Sequence, residues 1–203
     1  MKHLVSLVVL FAFCAGAIAQ QPGASQARPQ PAPAVPAQPA ASAPAASSAS
    51  VAKAEDVDTI DHIIAALYDV ISGPAAQERD WNRFRSLFIP EARLVPNGLR
   101  PTGEAFHRVL SPDEYAERAK QGFSQQGFFE NEALRKLERF ANVAHAWSAY
   151  ESRHEKGGQP FARGVNSIQL LNDGTRWYVV TIMWQGEDPK HPLPPEYVKP
   201  AQP

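Results

Sequence analysis

The sequence predicts an α+β domain in which helices come first and a meander of long strands follows. Three observations carry this. Ile60, Ile63, Ile64, Leu67, Tyr68 and Ile71 recur at helical spacing. Asn142 to Arg153 alternates between two faces at strand spacing. Phe161 to Gln185, FARGVNSIQLLNDGTRWYVVTIMWQ, reads as two strands joined by a tight turn. That last stretch is dense in aromatic and β-branched residues, which suit a pleated, buried surface. Its Asp173-Gly174 pair is a hairpin signal because the favoured two-residue turn needs positive φ.

Taken from its start, the chain opens on a segment that reads as a signal peptide over 1–19. Lys2 and His3 form a basic start, Leu4 to Phe13 an apolar run, and Ala17-Ile18-Ala19 a small-residue cleavage site. The apolar run falls short of the roughly 20 residues a membrane-spanning helix needs. Cleavage after Ala19 predicts an exported protein, periplasmic or secreted, with no stable membrane insertion. It removes Cys14, the one cysteine, and leaves 19 basic against 21 acidic residues. A mature chain of that kind has no disulfide, and no basic excess with which to bind nucleic acid.

Residues 20–50 form an Ala/Pro-rich tether. Eighteen of the 29 residues from Pro22 to Ser50 are Ala or Pro, and Arg28 is the only charge. So little bulky apolar surface cannot offset the entropy of ordering, and the prolines favour an extended spacer. The folded domain is expected over 51–192, long enough for one core, followed by an irregular Pro-rich tail over 193–203.

Within the domain, the first helix is expected from Val57 to Ser72, capped by Asp56 or Asp58 and stopped by Gly73-Pro74. A second, from Gln77 to Phe88, places Trp81, Phe84, Leu87 and Phe88 on one face and ends at Pro90. Arg93 to Val95 reads as a short extended piece before a turn at Asn97-Gly98. Ser111-Pro112-Asp113-Glu114 is a capping box with Pro at the first helical position, opening a helix to about Gln121. Phe128 to Phe140 is helix-forming by composition, rich in Glu, Ala, Leu, Arg and Lys, although its flanks and length suit a strand. In the hairpin, a two-residue turn sets Leu170 opposite Trp177, Ile168 opposite Val179 and Asn166 opposite Thr181. Leu170, Ile168, Trp177, Val179 and Met183 then share one face. The opposite face of the second arm, with Tyr178, Val180, Ile182 and Trp184, is apolar too, and a second copy of the chain would cover it.

The segments RDWNRFRSLFIPEARLVPNG, ERFANVAHAWSAYESR and GVNSIQLLNDGTRWYVVTIMWQ resemble the nuclear transport factor 2-like superfamily, in particular its exported, polyketide-cyclase-like members. The resemblance implies a curved antiparallel sheet wrapped around the N-terminal helices into a cone with an open mouth. It also implies that FFENEALRKLERF is a strand, and it favours homodimers packed sheet to sheet. It does not imply one activity, since the superfamily hosts isomerases, cyclases, dehydratases and binding modules.

Enzymes that this chain resembles place an acid or base in the cone. Asp80 and His145 are the catalytic candidates, with His107, Glu130, Glu132 and Glu151 behind them. A carboxylate held among Trp and Phe has its pKa raised and can exchange a proton at neutral pH. His145 and Glu151 cannot act on one atom, being about 20 Å apart along an extended strand. For ligand binding, Trp81, Phe84, His145, Trp147, Asn166 and Thr181 are the expected lining, with Met183 beside them. Such a lining is largely apolar with a few hydrogen-bonding groups, the usual profile of a small-molecule site. No metal is expected, because the six histidines are scattered and no HxH, HExxH or CxxC occurs. No cofactor is expected either: no Gly-rich phosphate loop and no GxSxG is present. Two function classes remain. One is a small apolar or aromatic molecule bound in the cone, or an accessory role in the cell envelope. The other is a cofactor-independent isomerase, cyclase or dehydratase using a pocket Asp or His.

Overall fold

The computed structural model describes residues 51–100 and 102–198. The expected leader, the Ala/Pro-rich tether and the end of the tail lie outside the described residues.

Two helices open the domain where one was expected: α1 (Ala54–Val57) and α2 (Ile60–Ile71). Thr59 caps α2 by accepting from the His62 N–H. Asp56 and Asp58, the expected caps, have other partners, Arg83 and His62 respectively. Helix α3 (Trp81–Ser86) begins four residues later than expected. The chain before it is held in a loop by Arg79, whose guanidinium donates to the carbonyls of Ile71, Gly73, Pro74 and Gln77. Helix α4 (Pro112–Phe123) carries the complete capping box read from the sequence.

Six strands follow or interleave: β1 (Phe88–Leu99), β2 (Ala105–His107), β3 (Phe129–Phe140), β4 (Val143–Arg153), β5 (Ala162–Asn172) and β6 (Trp177–Gly186). They form one curved sheet in the order β2-β1-β6-β5-β4-β3. All neighbours are antiparallel except β1 and β6, which run parallel. The sheet is therefore mixed rather than wholly antiparallel, as a long crossover between β1 and β6 permits. The expected short extended piece at 93–95 is a strand of 12 residues. Pro90 lies inside it, where the register with β6 breaks between Phe88 and Arg93, a position that tolerates a missing N–H. Asn97 and Gly98 pair with His107 and Phe106 within the β1–β2 ladder, so the turn falls later, closed by Arg100 N–H to the Glu104 carbonyl. The 128–140 stretch is strand β3, paired along its length with β4. Ladder hydrogen bonds override its helix-forming composition, as the resemblance implied. In the tail, Pro195–Tyr197 makes one 3-10 turn, and Lys136 of β3 lies 4.5 Å over the Tyr197 ring.

The β5–β6 hairpin turns over four residues, not two. Asn172 pairs with Trp177 and Leu170 with Val179. A slip of two residues leaves each side chain on its expected face, and Leu170, Trp177 and Val179 are buried as read. Past that point the register shifts again, opposite Val180, so that Ile168 meets Ile182 and Asn166 meets Trp184. This bulge inverts the outer half of β6. Ile182 and Trp184 turn inward, and Met183, expected inside, is 47% exposed.

On the inner face, small residues of β4 (Ala144 and Ala146) join one apolar cluster with Ile63, Ile64 and Leu67 of α2 and Ile168 and Leu170 of β5, and Ser148 is buried on the same face. Gly164 of β5 pairs with Tyr150 of β4, and the phenol folds over it. A Cβ at Gly164 would lie 2.6 Å from Tyr150 Oη. Gly164→Ala is therefore expected to cost about 2 kcal/mol through overpacking. Urea denaturation of the variant reads this, and a cost below about 0.5 kcal/mol, the ordinary scale for an inconsequential surface substitution, would contradict it.

Candidate functional site

The helices and the inner face of the sheet enclose a cavity of about 110 Å³. Leu67, Ile71, Phe84, Leu94, Ile168 and Ile182 make most of its wall, with Tyr115, Phe128 and Trp184 adding ring surface. Five side chains with a hydroxyl, carboxyl or amide line it: Tyr68, Tyr115, Glu130, Tyr150 and Asn166.

Local structure positions Glu130. The end of α2 is laced to the start of β3, with Gly73 and Phe128 exchanging backbone hydrogen bonds at 2.7 and 3.0 Å. Ser72 Oγ then accepts from the Glu130 N–H at 3.0 Å. Strand pairing sets Glu130 opposite Ser152, whose hydroxyl donates to Glu130 Oε2 at 2.7 Å. No cation pairs with this carboxyl among the described residues. Desolvation pushes its pKa up to about 7, and the Ser152 hydrogen bond opposes the rise only in part. Glu130 is therefore divided between acid and carboxylate near neutral pH.

The second polar group is a directed chain. Ser148 Oγ donates to Glu132 Oε1 at 2.5 Å, and Glu132 Oε2 is ion-paired with Arg135 at 3.2 Å. The serine has one proton to give, so at 2.7 Å it accepts from the Tyr68 hydroxyl. Tyr68 Oη in turn accepts from Asn166 Nδ2 at 3.0 Å. Donation runs from Asn166 through Tyr68 and Ser148 to Glu132. Burial raises the Tyr68 pKa far above the ordinary phenol value, so this group stays protonated and holds the chain's direction. Burial has the same effect on Tyr115 and Tyr150, reinforced by the nearby charge of Glu130. Tyr68 and Glu130 also border a larger open cleft of about 870 Å³ between α2 and the start of β3.

Of the residues singled out in the sequence, Phe84 and Asn166 line the cavity. Trp81 lies behind it, stacked on Phe123 at 6.2 Å. His145, Trp147 and Thr181 sit on the outer face of the sheet. Trp147 pairs with Ser167, while His145 and Thr181 share partner Gln169. His145 Nε2 is hydrogen-bonded to Ser167 Oγ at 2.9 Å, and Trp147 is 39% exposed. The inner face of β4 belongs to Ala144, Ala146, Ser148, Tyr150 and Ser152, and the β6 bulge moves Thr181 away from Asn166. Asp80 is exposed and caps α3 by accepting from the Arg83 N–H at 2.8 Å. His107 is exposed on β2, and Glu151 is ion-paired with Arg153. Neither sequence-preferred catalytic residue reaches the cavity, whereas Glu130 does. Alternation along β3 could have shown that Glu130 and Glu132 share a face. The burial that separates Glu130 from its neighbours has no signal in the sequence. No group of three or more metal-ligating side chains occurs among the described residues, and no helix among them is long and apolar enough to cross a membrane.

No family model matches the sequence, and no curated protein is significantly similar to it. Solved structures are similar in fold. One is an uncharacterised cystatin-like-fold protein from Caulobacter vibrioides, 12% identical, with TM-score 0.45 over 66% of this chain and 90% of that one. A nuclear transport factor 2-like protein from Silicibacter pomeroyi is 15% identical, with TM-score 0.41 over 64% and 99% of the two chains. LinA is 11% identical, with TM-score 0.48 over 68% and 93%. The curvature of the sheet about α2 and the cavity on its inner face agree with what the sequence resemblance implied, and the parallel β1–β6 pair departs from it. The architecture is an α+β cone, as the resemblance implied. In this cone the hydroxyl, carboxyl and amide groups come from α2, α4, β3, β4 and β5, while α3, β1 and β6 supply apolar or aromatic wall.

Proposed function

We propose that the cone binds a small, largely apolar or aromatic molecule carrying one hydrogen-bonding group, which sits against Glu130. The observation that supports this is the composition of the cavity wall: apolar and aromatic surface interrupted by the hydroxyls of Tyr68, Tyr115 and Tyr150, the Asn166 amide and a carboxyl with no cation paired to it among the described residues. Such a wall favours desolvated apolar surface and orients it through few polar contacts.

A second reading is proton transfer by a cofactor-independent isomerase, cyclase or dehydratase. The pKa of Glu130 near 7 favours it, because an acid or base is most effective when its pKa lies near the working pH. Asp80 and His145 have no part in that reading, and Glu130 replaces them.

The proposed setting is an exported protein acting in or beyond the cell envelope, an assignment supported by the composition of residues 1–50. A homodimer is proposed through the outer face of the sheet, where Phe140, Val143, Trp147 and Met183 are exposed.

Native mass spectrometry of the mature protein from its own cells tests these assignments together. The expected result is a dimer carrying a discrete extra mass, absent from an Ile182→Phe variant that fills the cavity. A bare chain that also shows no thermal stabilisation by phenol, a ring with one hydroxyl, would overturn the binding assignment. A bare monomer would overturn the dimer.

A further inference from the structure

A second pocket, of about 210 Å³, lies outside the cone between the loop preceding α3 and the C-terminal end of α4. Its walls include Gln77, Arg79, Trp81, Lys120, Phe123 and Ser124. Two features of this wall are unusual in independent ways.

The first is Arg79, a cation only 5% exposed. Four backbone carbonyls accept from it, at distances from 2.5 to 3.2 Å, and its guanidinium lies 5.0 Å from the Phe123 ring centre. These carbonyls satisfy hydrogen bonds without supplying a negative charge. No carboxylate pairs with Arg79 among the described residues, although buried charges are ordinarily paired. A guanidinium has five N–H groups, so one remains beyond the four bonds described.

The second is Trp81, 6% exposed, whose indole Nε1–H is buried without an acceptor. A buried indole N–H usually finds one. Lys120 adds a further positive charge at the rim, where its ammonium contacts Glu117 at 2.7 Å. Glu78 is the one carboxylate in the wall, and it is exposed. The pocket thus brings together a buried cation with no carboxylate partner and an indole N–H with no acceptor among the described residues, a composition complementary to an anion carrying several acceptor oxygens.

We propose that this pocket binds a small oxyanion, a carboxylate or phosphate-type group, held by the Arg79 guanidinium and the Trp81 indole N–H. The group compensates the buried charge of Arg79 and docks on the loop joining α2 to α3. The site is distinct from the cone, since no residue of its wall lines the cavity.

Thermal unfolding of the full chain in acetate, phosphate or chloride at matched ionic strength tests the proposal. Saturable stabilisation by acetate or phosphate, absent with chloride, is expected. Stabilisation by acetate alone would mark an organic acid site, and by phosphate alone a phosphate site. Trp81→Phe keeps the ring but removes the donor, and is expected to weaken binding about tenfold, or about 1.4 kcal/mol. Glu78→Gln removes the carboxylate from the wall and is expected to tighten binding a few-fold, a readout independent of how well Trp81→Phe folds. Equal behaviour of all three salts would overturn the proposal, as would unchanged affinity in both variants.

Discussion

Glu130→Gln is expected to abolish a fall in stability between about pH 4.5 and 7, leaving the variant more stable than the parent at pH 8. In the unfolded chain this carboxyl titrates near its ordinary value of 4.5, whereas in the fold burial raises it to about 7. Between those values the folded chain holds a proton that the unfolded chain has released. Stability therefore falls as pH rises through the window and levels off above it. Each tenfold change in proton affinity is worth about 1.4 kcal/mol. Glu130 also borders the open cleft, which screens its charge, so the expected loss is about 2–3 kcal/mol rather than more. Glutamine stays neutral throughout and still accepts from Ser152. Urea denaturation of parent and variant at pH 4.5, 6, 7 and 8 measures the effect. A parent profile that is flat across the window, or a variant that keeps the slope, would show that Glu130 is not buried as described.

The second large effect is expected at the joint between α1 and α3. Arg83 donates from Nε and Nη2 to the two oxygens of Asp56, both at 2.8 Å, and from Nη1 to Asp69 at 2.5 Å. Asp56 is buried and Arg83 is mostly so. Arg83→Ala leaves the Asp56 carboxylate without its cation and is expected to cost about 3 kcal/mol, as when one partner of a buried pair is removed. Arg83 holds the Asp56 carboxyl below the ordinary carboxylate range, and Lys53 and His62 add to this at longer range. A depressed folded-state pKa gives stability that is complete above about 3.8 and is lost as pH falls through the lower value. Arg83→Ala should flatten that acid limb, and an Asp56→Asn, Arg83→Met double variant should recover part of the loss because no charge is stranded. Additive losses in the two single variants and the double would contradict a coupled pair.

These two carboxyl groups show where sequence reading stops. Asp56 looks like a helix cap from its position ahead of an apolar periodic run. The cap is Thr59, because Asp56 is taken by an arginine 27 residues away. Glu130 is one of several acids in a charged, helix-forming stretch, and only the closure of α2 over β3 makes its surroundings differ from those of Glu132. Trp147, His145 and Thr181, expected inside the cone beside Phe84 and Asn166, lie outside it for a related reason. In β4 both faces carry residues able to line a cavity, and Ala144, Ala146 and Ser148 won the inner side because small side chains admit the helix. On the other face, Trp147 and His145 look outward.

Features that rest on local chemistry are legible in the residues alone. The capping box and proline at the start of α4 need only residues 111–114. The periodicity of α2 states which face is buried, and the Asp-Gly pair between two β-rich arms states that a hairpin forms there. Tertiary structure decided everything set by strand pairing. It made a strand of Phe129–Phe140, since ladder bonds to β4 outweigh helix propensities of a few tenths of a kcal/mol per residue. It set the bulge opposite Val180, which inverts the outer half of β6 and sends Ile182 and Trp184 to the cavity and Thr181 and Met183 to the surface. It also buried Arg79 and half-buried Glu130 with no opposite charge paired to either among the described residues. Period-two alternation reports that two faces exist, but which of them faces the helices depends on register, and register is settled between segments far apart in the chain.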